Sequence, residues 1–199
     1  MPAGTDFVKH EFDEAISIQR SFVEAARELS GSHPVPESRA AIKALLPKGE
    51  EHLKTLESFG ALFDARGKKE DVARGMESLM QKTLRKATEQ QAEESEAYEA
   101  HAVLLTLARK QQDSASSMIR IATEAKDSKM GKAARAIQRD LNATTKQLAD
   151  LLGEFAVRIA SQGDGLPAVQ AAAQGEAQPP AGTAKGARGG KSAAGKGEQ

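Results

Sequence analysis

Apolar side chains recur at alternating spacings of four and three along most of this chain, and that rhythm limits its fold more than any other feature. Positions three and four residues apart lie on one face of an α-helix, so the spacing predicts helices that each carry a single apolar stripe. The first predicted helix covers about residues 5–29, with Thr5 or Asp6 as its cap and Gly31 ending it in a left-handed conformation. Its stripe consists of Val8, Phe12, Ala15, Gln19, Phe22, Ala26 and Leu29.

Three further segments repeat the pattern. The second covers about residues 37–65, and Pro47 inside it predicts a kink or a break. The third starts at Glu70 or Asp71 and continues to Ala108, as one helix or as two joined near residues 87–91. The fourth starts near Asp113, loses its phase over residues 126–132, and then resumes as far as Ile159.

Each predicted helix has only one apolar face, so it has to pack against another helix. Short loops between such helices favour an all-α, up-down four-helix bundle with extra short helices, and a pair of extended coiled-coil arms is the structural alternative. We expect residues 1–162 to form the bundle. Residues 163–199 are rich in Gly, Ala and Lys and contain almost no large apolar side chain, which predicts a disordered tail.

Composition excludes several classes of function. The chain has 28 Lys and Arg against 28 Asp and Glu, and this balance argues against nucleic-acid binding by the protein as a whole. The absence of cysteine excludes thiolate metal sites and fits a cytoplasmic protein. No apolar run approaches the roughly 20 residues that span a bilayer, so we expect no transmembrane segment. Residues 181–199 carry four cations and one acid, which suggests either a weak tether to an anionic surface or nucleic acid, or a solubilising extension.

Motifs for phosphate loops, for zinc proteases and for the Glu-x-x-His pairs of two-metal bundles are absent from the predicted helices. Some polar residues nevertheless fall on inward stripes or beside them. Glu94 and His101 are two helical turns apart, and Glu96 and Glu99 lie between them in a dense acidic run. These four are the candidate metal ligands. The alternatives are a hydrogen-bonded layer that fixes helix register, or solvated acids near a helix start.

Several stretches together resemble the YciE/YciF-like ferritin-like helical-bundle family. They are PESRAAIKALL at 36–46, LESFGALFDARGKK at 56–69, GMESLMQK at 75–82, EAYEAHAVLLTLA at 96–108 and KAARAIQRDLNATTKQLADL at 132–151. The similarity covers about residues 10–155 and implies a ferritin-like bundle. Most of the metal-ligand positions that the resemblance implies hold other residues in this chain. The position in the first helix lies near Gln19, and only Glu96 and Glu99 remain as candidate ligands. The other replaced positions hold Lys43, Ala44, Leu45, Asn142, Ala143 and Thr144.

These observations lead us to expect a non-catalytic ferritin-like bundle rather than an enzyme. It would act by self-association, as a homo-oligomer, or by binding a protein or a small ligand, with no cofactor. One alternative is a non-haem bundle that binds iron or manganese, for storage or for oxidoreductase chemistry. Another is a scaffolding or surface-coating helical protein whose amphipathic faces remain partly unpaired.

Overall fold

Four long helices make up the computed structural model, which describes residues 4–67, 82 and 94–162. They are α1 (Thr5–Ser32), α2 (Pro36–Gly60), α3 (Glu94–Glu124) and α4 (Ser128–Ala160), and a short 3-10 helix (Ala61–Phe63) follows α2. The described residues contain no β-strand. The prediction of an all-α bundle is therefore confirmed.

The four helices close into a ring in which each one has two neighbours. Helix α1 packs against α2 and α3, and α4 packs against α3 and α2. Neighbouring helices are antiparallel. Across α1 and α2, Arg20 pairs with Glu57 and Arg27 with Glu50. Across α1 and α3, Ala15 meets Gln111, and His33 just after α1 meets His101. Helices α2 and α3 consequently run in the same direction, and α3 begins at the end of the bundle opposite to the end where α2 stops.

Two groups of apolar side chains fill the ring, one towards each end. Phe22, Leu29, Ile42, Leu104 and Leu148 belong to the first group. The second group contains Phe12, Ile16, Leu56, Met118 and Leu141. Every residue of the predicted α1 stripe is buried except Val8, which is partly buried. Because the stripes of all four helices meet in these groups, the described chain forms a closed bundle and not a pair of extended arms.

Several predicted helix boundaries were wrong. Helix α1 continues through Gly31 to Ser32, and Gly4 precedes it without any side-chain cap from Thr5 or Asp6. Helix α3 runs without interruption past the predicted start at Asp113. The connection from α3 to α4 occupies only residues 125–127, where Asp127 accepts the backbone N–H groups of the first turn of α4.

Helix α2 passes through Pro47 without a break. Proline cannot donate to the carbonyl four residues earlier, which here belongs to Lys43. Pro47 and Lys43 are both exposed, so water can bond the released carbonyl. The helix therefore tolerates proline on its outer face, where no neighbouring helix competes for the space.

The first part of the third predicted segment, from residue 70 to the possible junction near residues 87–91, lies outside the described residues apart from Lys82. The predicted tail over residues 163–199 also lies outside them. Among the described residues, no helix is long and apolar enough to cross a membrane.

A buried carboxylate holds the chain where it leaves α2. Asp13 of α1 is 4% exposed, and its Oδ1 atom accepts the backbone N–H groups of Arg66 at 2.7 Å and Gly67 at 2.8 Å. Its Oδ2 atom bonds the Lys9 ammonium at 2.7 Å. Gly67 has a φ of 69°, and a Cβ atom there would lie 2.5 Å from Cγ2 of Ile16. Only glycine fits this close left-handed turn.

Replacing Gly67 with alanine is expected to destabilise the bundle. The left-handed conformation costs an L-residue about 1–2 kcal/mol, and the contact with Ile16 adds to that cost. Gly153→Ala is the matched control, because Gly153 is exposed within α4 and has open space around it. That substitution should raise the free energy of unfolding by about 0.5–1 kcal/mol. Urea unfolding of both variants measures the difference, and equal stability of the two would contradict the packing described for Gly67.

Candidate functional site

The four residues predicted as metal ligands do not form one site. Glu94 connects the start of α3 to the end of α4. Its Oε1 atom accepts a hydrogen bond from Arg158 at 3.3 Å, and its Oε2 atom accepts one from Gln162 at 2.5 Å. His101 is fully buried and bonds other groups. Glu96 and Glu99 lie on the rim of a surface groove, with Glu99 exposed.

A different set of side chains comes closer to the geometry of a metal site. Within the described residues, His10, Glu11 and Glu14 are the one group of three potential ligands whose donor atoms lie within 4.8 Å of one another. All three sit on the first turns of α1, and Glu14 also pairs with Lys110 at 3.3 Å. An ammonium group therefore already neutralises part of the charge that a cation would require.

A pair of histidines, His33 and His101, is fully buried, with 0% exposure of both. His33 lies just after α1, and His101 lies near the start of α3. His33 Nδ1 accepts the backbone N–H of Val35 at 3.1 Å, and His33 Nε2 lies 3.4 Å from His101 Nδ1. His101 Nε2 reaches the carbonyl oxygen of Leu148 in α4 at 3.1 Å. These contacts, here called the histidine relay, connect α1, α3 and α4.

One assignment of protons satisfies every contact of the histidine relay. Val35 N–H donates to His33 Nδ1, so the proton of neutral His33 is on Nε2 and points to His101 Nδ1. The proton of neutral His101 is then on Nε2, where it donates to the Leu148 carbonyl. Protonating either ring would place a second proton on Nδ1, opposite another donor. The relay therefore requires both imidazoles to be neutral.

The surroundings of the histidine relay favour these neutral forms. Burial lowers the pKa of His33 to about 4, and the neighbouring His101 and then Arg39 add to the shift. Burial also lowers the pKa of His101, although the bond to Leu148 opposes this. Phe155 packs against His33 with 4.9 Å between the ring centroids, which removes water from that side. At neutral pH the pair is a structural group that carries no charge.

Neutral amides occupy the middle of the bundle. Gln19, which was predicted to face inward, is fully buried and donates from Nε2 to the Gly49 carbonyl at 3.0 Å. Gln111, which the sequence reasoning did not identify, donates to the Ala15 carbonyl at 2.5 Å. A centre for two hard cations needs several inward carboxylates. At the level of Gln19 and Gln111 the described core offers amides, which do not fit such a centre.

His52 was also missed by the sequence reasoning. It is 5% exposed, and its Nε2 atom lies 3.0 Å from Oδ2 of Asp140 on α4. Its spacing was the available signal, because His52 lies three residues after Gly49 and four before Leu56, both of which are buried. Lys48 lies 3.6 Å from the same carboxylate, so this cluster ties α2 to α4 at the surface.

A surface groove lies between the start of α3 and the end of α4, with a volume of about 350 Å³. We call it the α3–α4 groove. The ring of Tyr98 is 6.3 Å from that of Phe155, so its outer wall rests on the aromatic group that covers His33. The lining is mainly apolar, and the volume is in the range of sites that hold small ligands. The groove is lined by Ser95, Glu96, Tyr98, Glu99, Ala156, Ile159 and Ala160.

The histidine relay predicts how stability depends on pH. His33 has a folded-state pKa of about 4, below the unfolded value of about 6.5, so the unfolded chain binds more protons between these values. The stabilisation is complete above pH 6.5 and is lost as the pH falls towards 4. For His33 the loss is about 2 kcal/mol at pH 5. Urea unfolding between pH 7 and pH 5 measures this slope.

Two histidine variants isolate this effect from other titrating groups. His33→Phe is expected to flatten the slope between pH 6.5 and pH 5, even though it lowers stability at pH 7. His10→Gln, at an exposed histidine outside the histidine relay, is the matched control. The relay would be refuted as the source if the wild type and His33→Phe lost stability equally over this interval.

Comparison with known proteins adds no family to this description: no family model, curated protein or solved structure matches the chain. The resemblance to the YciE/YciF-like family stays a prediction. The function has to be inferred from the bundle itself.

Proposed function

We propose that this chain is a non-catalytic helical-bundle protein that acts by self-association through the α3–α4 groove. A cytoplasmic location is part of the proposal, on the grounds of the cysteine-free sequence. The observation that carries it is the groove together with an exposed apolar side chain, Val157, on the same turns of α4.

The buried histidines and Gln111 are already used for cohesion. The nitrogens of His33 and His101 are all bonded within the described chain, and Gln111 is bonded to the α1 backbone. A group that substrate must approach is usually accessible in a cleft and carries a perturbed pKa there. The two histidines with lowered pKa values are instead buried and bonded to each other, and the shifted pair Lys48 and Glu51 lies on the exposed face of α2. This arrangement favours recognition at the surface.

The surface beside the groove has both a protrusion and a depression. Val157 is 60% exposed, whereas its neighbours Ala156 and Ile159 line the groove. In a two-fold symmetric dimer the same patch of both copies meets, so residue i contacts j and j contacts i. Such a pairing would place each Val157 in the groove of the other copy. A stable interface usually buries about 1,200–2,000 Å², so the contact would extend along the outer faces of α3 and α4.

A charge at the protruding side chain should separate the two copies. We expect the wild-type chain to be a dimer and Val157→Lys to be a monomer, because the lysine would carry its charge into an apolar groove. Leu62→Lys is the matched control, since Leu62 is an apolar side chain with 70% exposure at the other end of the bundle. Light scattering coupled to size-exclusion chromatography gives the mass of each. A monomeric wild type, or a dimeric Val157→Lys variant, would overturn the proposal.

Two further measurements test the alternatives. Stoichiometric iron or manganese in the purified protein would favour the metal-binding alternative, with His10, Glu11 and Glu14 as the first residues to replace. A rise in helix content on adding lipid vesicles would favour the surface-coating alternative. A monomeric protein whose groove binds an apolar dye would favour small-ligand binding over self-association.

A further inference from the structure

The turn between α3 and α4 carries an unusual concentration of positive charge. Between residues 120 and 139 only Glu124 and Asp127 are acidic. Six cationic side chains share this segment, and all six are exposed, although the chain as a whole has a net charge of zero. We call them the basic turn: Arg120, Lys126, Lys129, Lys132, Arg135 and Arg139.

These cations differ from many of the others in the bundle because they have no acidic partner in the described chain. On the α1 and α2 faces, Arg20 pairs with Glu57 and Arg27 with Glu50. No residue of the basic turn makes an ion pair with a described residue. Asp127 is occupied, since its side chain accepts the N–H groups of Lys129 and Met130. Because six cations face only two acids, this surface keeps a net positive charge.

The cations border two adjoining clefts. Lys132, Arg135 and Arg139, together with Gln138, line a cleft of about 390 Å³. Arg135 also borders a second cleft of about 170 Å³, which includes Lys126. Gly131 lies beside this side chain, and a Cβ atom there would lie 3.3 Å from the Arg135 guanidinium. Arg135 thus joins the two clefts into one continuous basic surface.

The arrangement suits a row of phosphates better than one isolated anion. Residues 132, 135 and 139 follow one face of α4 and span roughly 10 Å along its axis, at about 1.5 Å per residue. Arginine offers a planar fork that matches phosphate oxygens. Proteins that hold single strands usually stack the bases on aromatic rings, and no aromatic side chain lines either cleft in the described chain. Contacts to a duplex backbone need no such rings.

An anionic membrane surface fits the basic turn less well. Helices that lie on membranes combine cations with large apolar side chains that enter the lipid. The large apolar side chains that are exposed in the described chain are Phe7, Leu62 and Val157, and none belongs to the basic turn. From these observations we propose that the basic turn binds the phosphate backbone of duplex nucleic acid without reading its sequence.

This proposal is independent of self-association, because the basic turn and the α3–α4 groove are at opposite ends of α3 and α4. It also agrees with the charge balance of the whole chain. A neutral protein has little long-range attraction for a polyanion, so binding should be weak and should depend strongly on salt.

The test measures the fluorescence anisotropy of a labelled 20-base-pair DNA duplex with the full-length chain, starting at 50 mM salt. The patch variant is Lys132→Gln, Arg135→Gln and Arg139→Gln combined. Each phosphate contact contributes about 0.9 to the slope of log affinity against log salt. The patch variant should therefore lose about 2.7 from that slope and bind at least about tenfold more weakly. Two unrelated duplex sequences should bind equally.

A control variant with the same net charge as the patch variant separates the effect of the basic turn from the effect of total charge. Lys43→Gln, Lys54→Gln and Arg109→Gln combined removes three exposed cations that also lack ion-pair partners in the described chain but lie elsewhere on the bundle. This variant should keep the wild-type slope to within about 1. Circular dichroism establishes that both triple variants remain folded, as expected for substitutions at exposed positions.

Several results would overturn the proposal. One such result is that the wild type does not bind the duplex at 50 mM salt. Another is that the two triple variants lose affinity for the duplex equally. Binding that the patch variant retains in full would assign the contact to another region, such as the cationic residues 181–199. Tighter binding to anionic vesicles or to single strands than to the duplex would identify a different partner. Val157→Lys should keep duplex binding whether or not it dimerises, so the two proposals can fail separately.

Discussion

Hydrogen bonds between buried polar groups on different helices determine how this bundle is aligned. Apolar stripes alone would allow helices to slide by a turn, because alanine-rich faces resemble one another. The histidine relay removes that freedom at one end by connecting His33, His101 and the Leu148 carbonyl, and Asp13 removes it at the other by accepting two backbone N–H groups. A one-turn slip would leave these buried atoms without partners, at a cost of about 1–3 kcal/mol each.

The polar core also explains how a bundle of four helices can be held together by neutral groups in its middle. Carboxylates facing one another inside a bundle repel and need cations to hold them there. Gln19 and Gln111 remove that requirement, because each amide donates to a backbone carbonyl of the neighbouring helix. The middle of the bundle can then be held together by neutral groups. Acids at other positions are compensated by a nearby cation, as for Glu94 with Arg158 and Asp13 with Lys9.

Local periodicity predicted the fold class well, because a helix places residues three and four apart on one face whatever surrounds it. It correctly predicted the inward positions of Gln19 and His101. It could not predict their partners, since His33 and Leu148 come from distant parts of the chain and depend on how the helices are arranged. For the same reason Glu94 was assigned as a candidate ligand, although Arg158 and Gln162, more than sixty positions later, occupy both its oxygens.

The two ends of the α3–α4 hairpin are stabilised by different kinds of contact. The wall of the α3–α4 groove depends on a series of aromatic contacts, from Tyr98 to Phe155 and from Phe155 to His33. Because His33 is held there only while it is neutral, the groove shares the acid sensitivity of the histidine relay. The basic turn is fixed instead by the Asp127 cap and by packing around Met130, with no histidine among those contacts. Acid should therefore loosen the apolar end of the hairpin before the basic end.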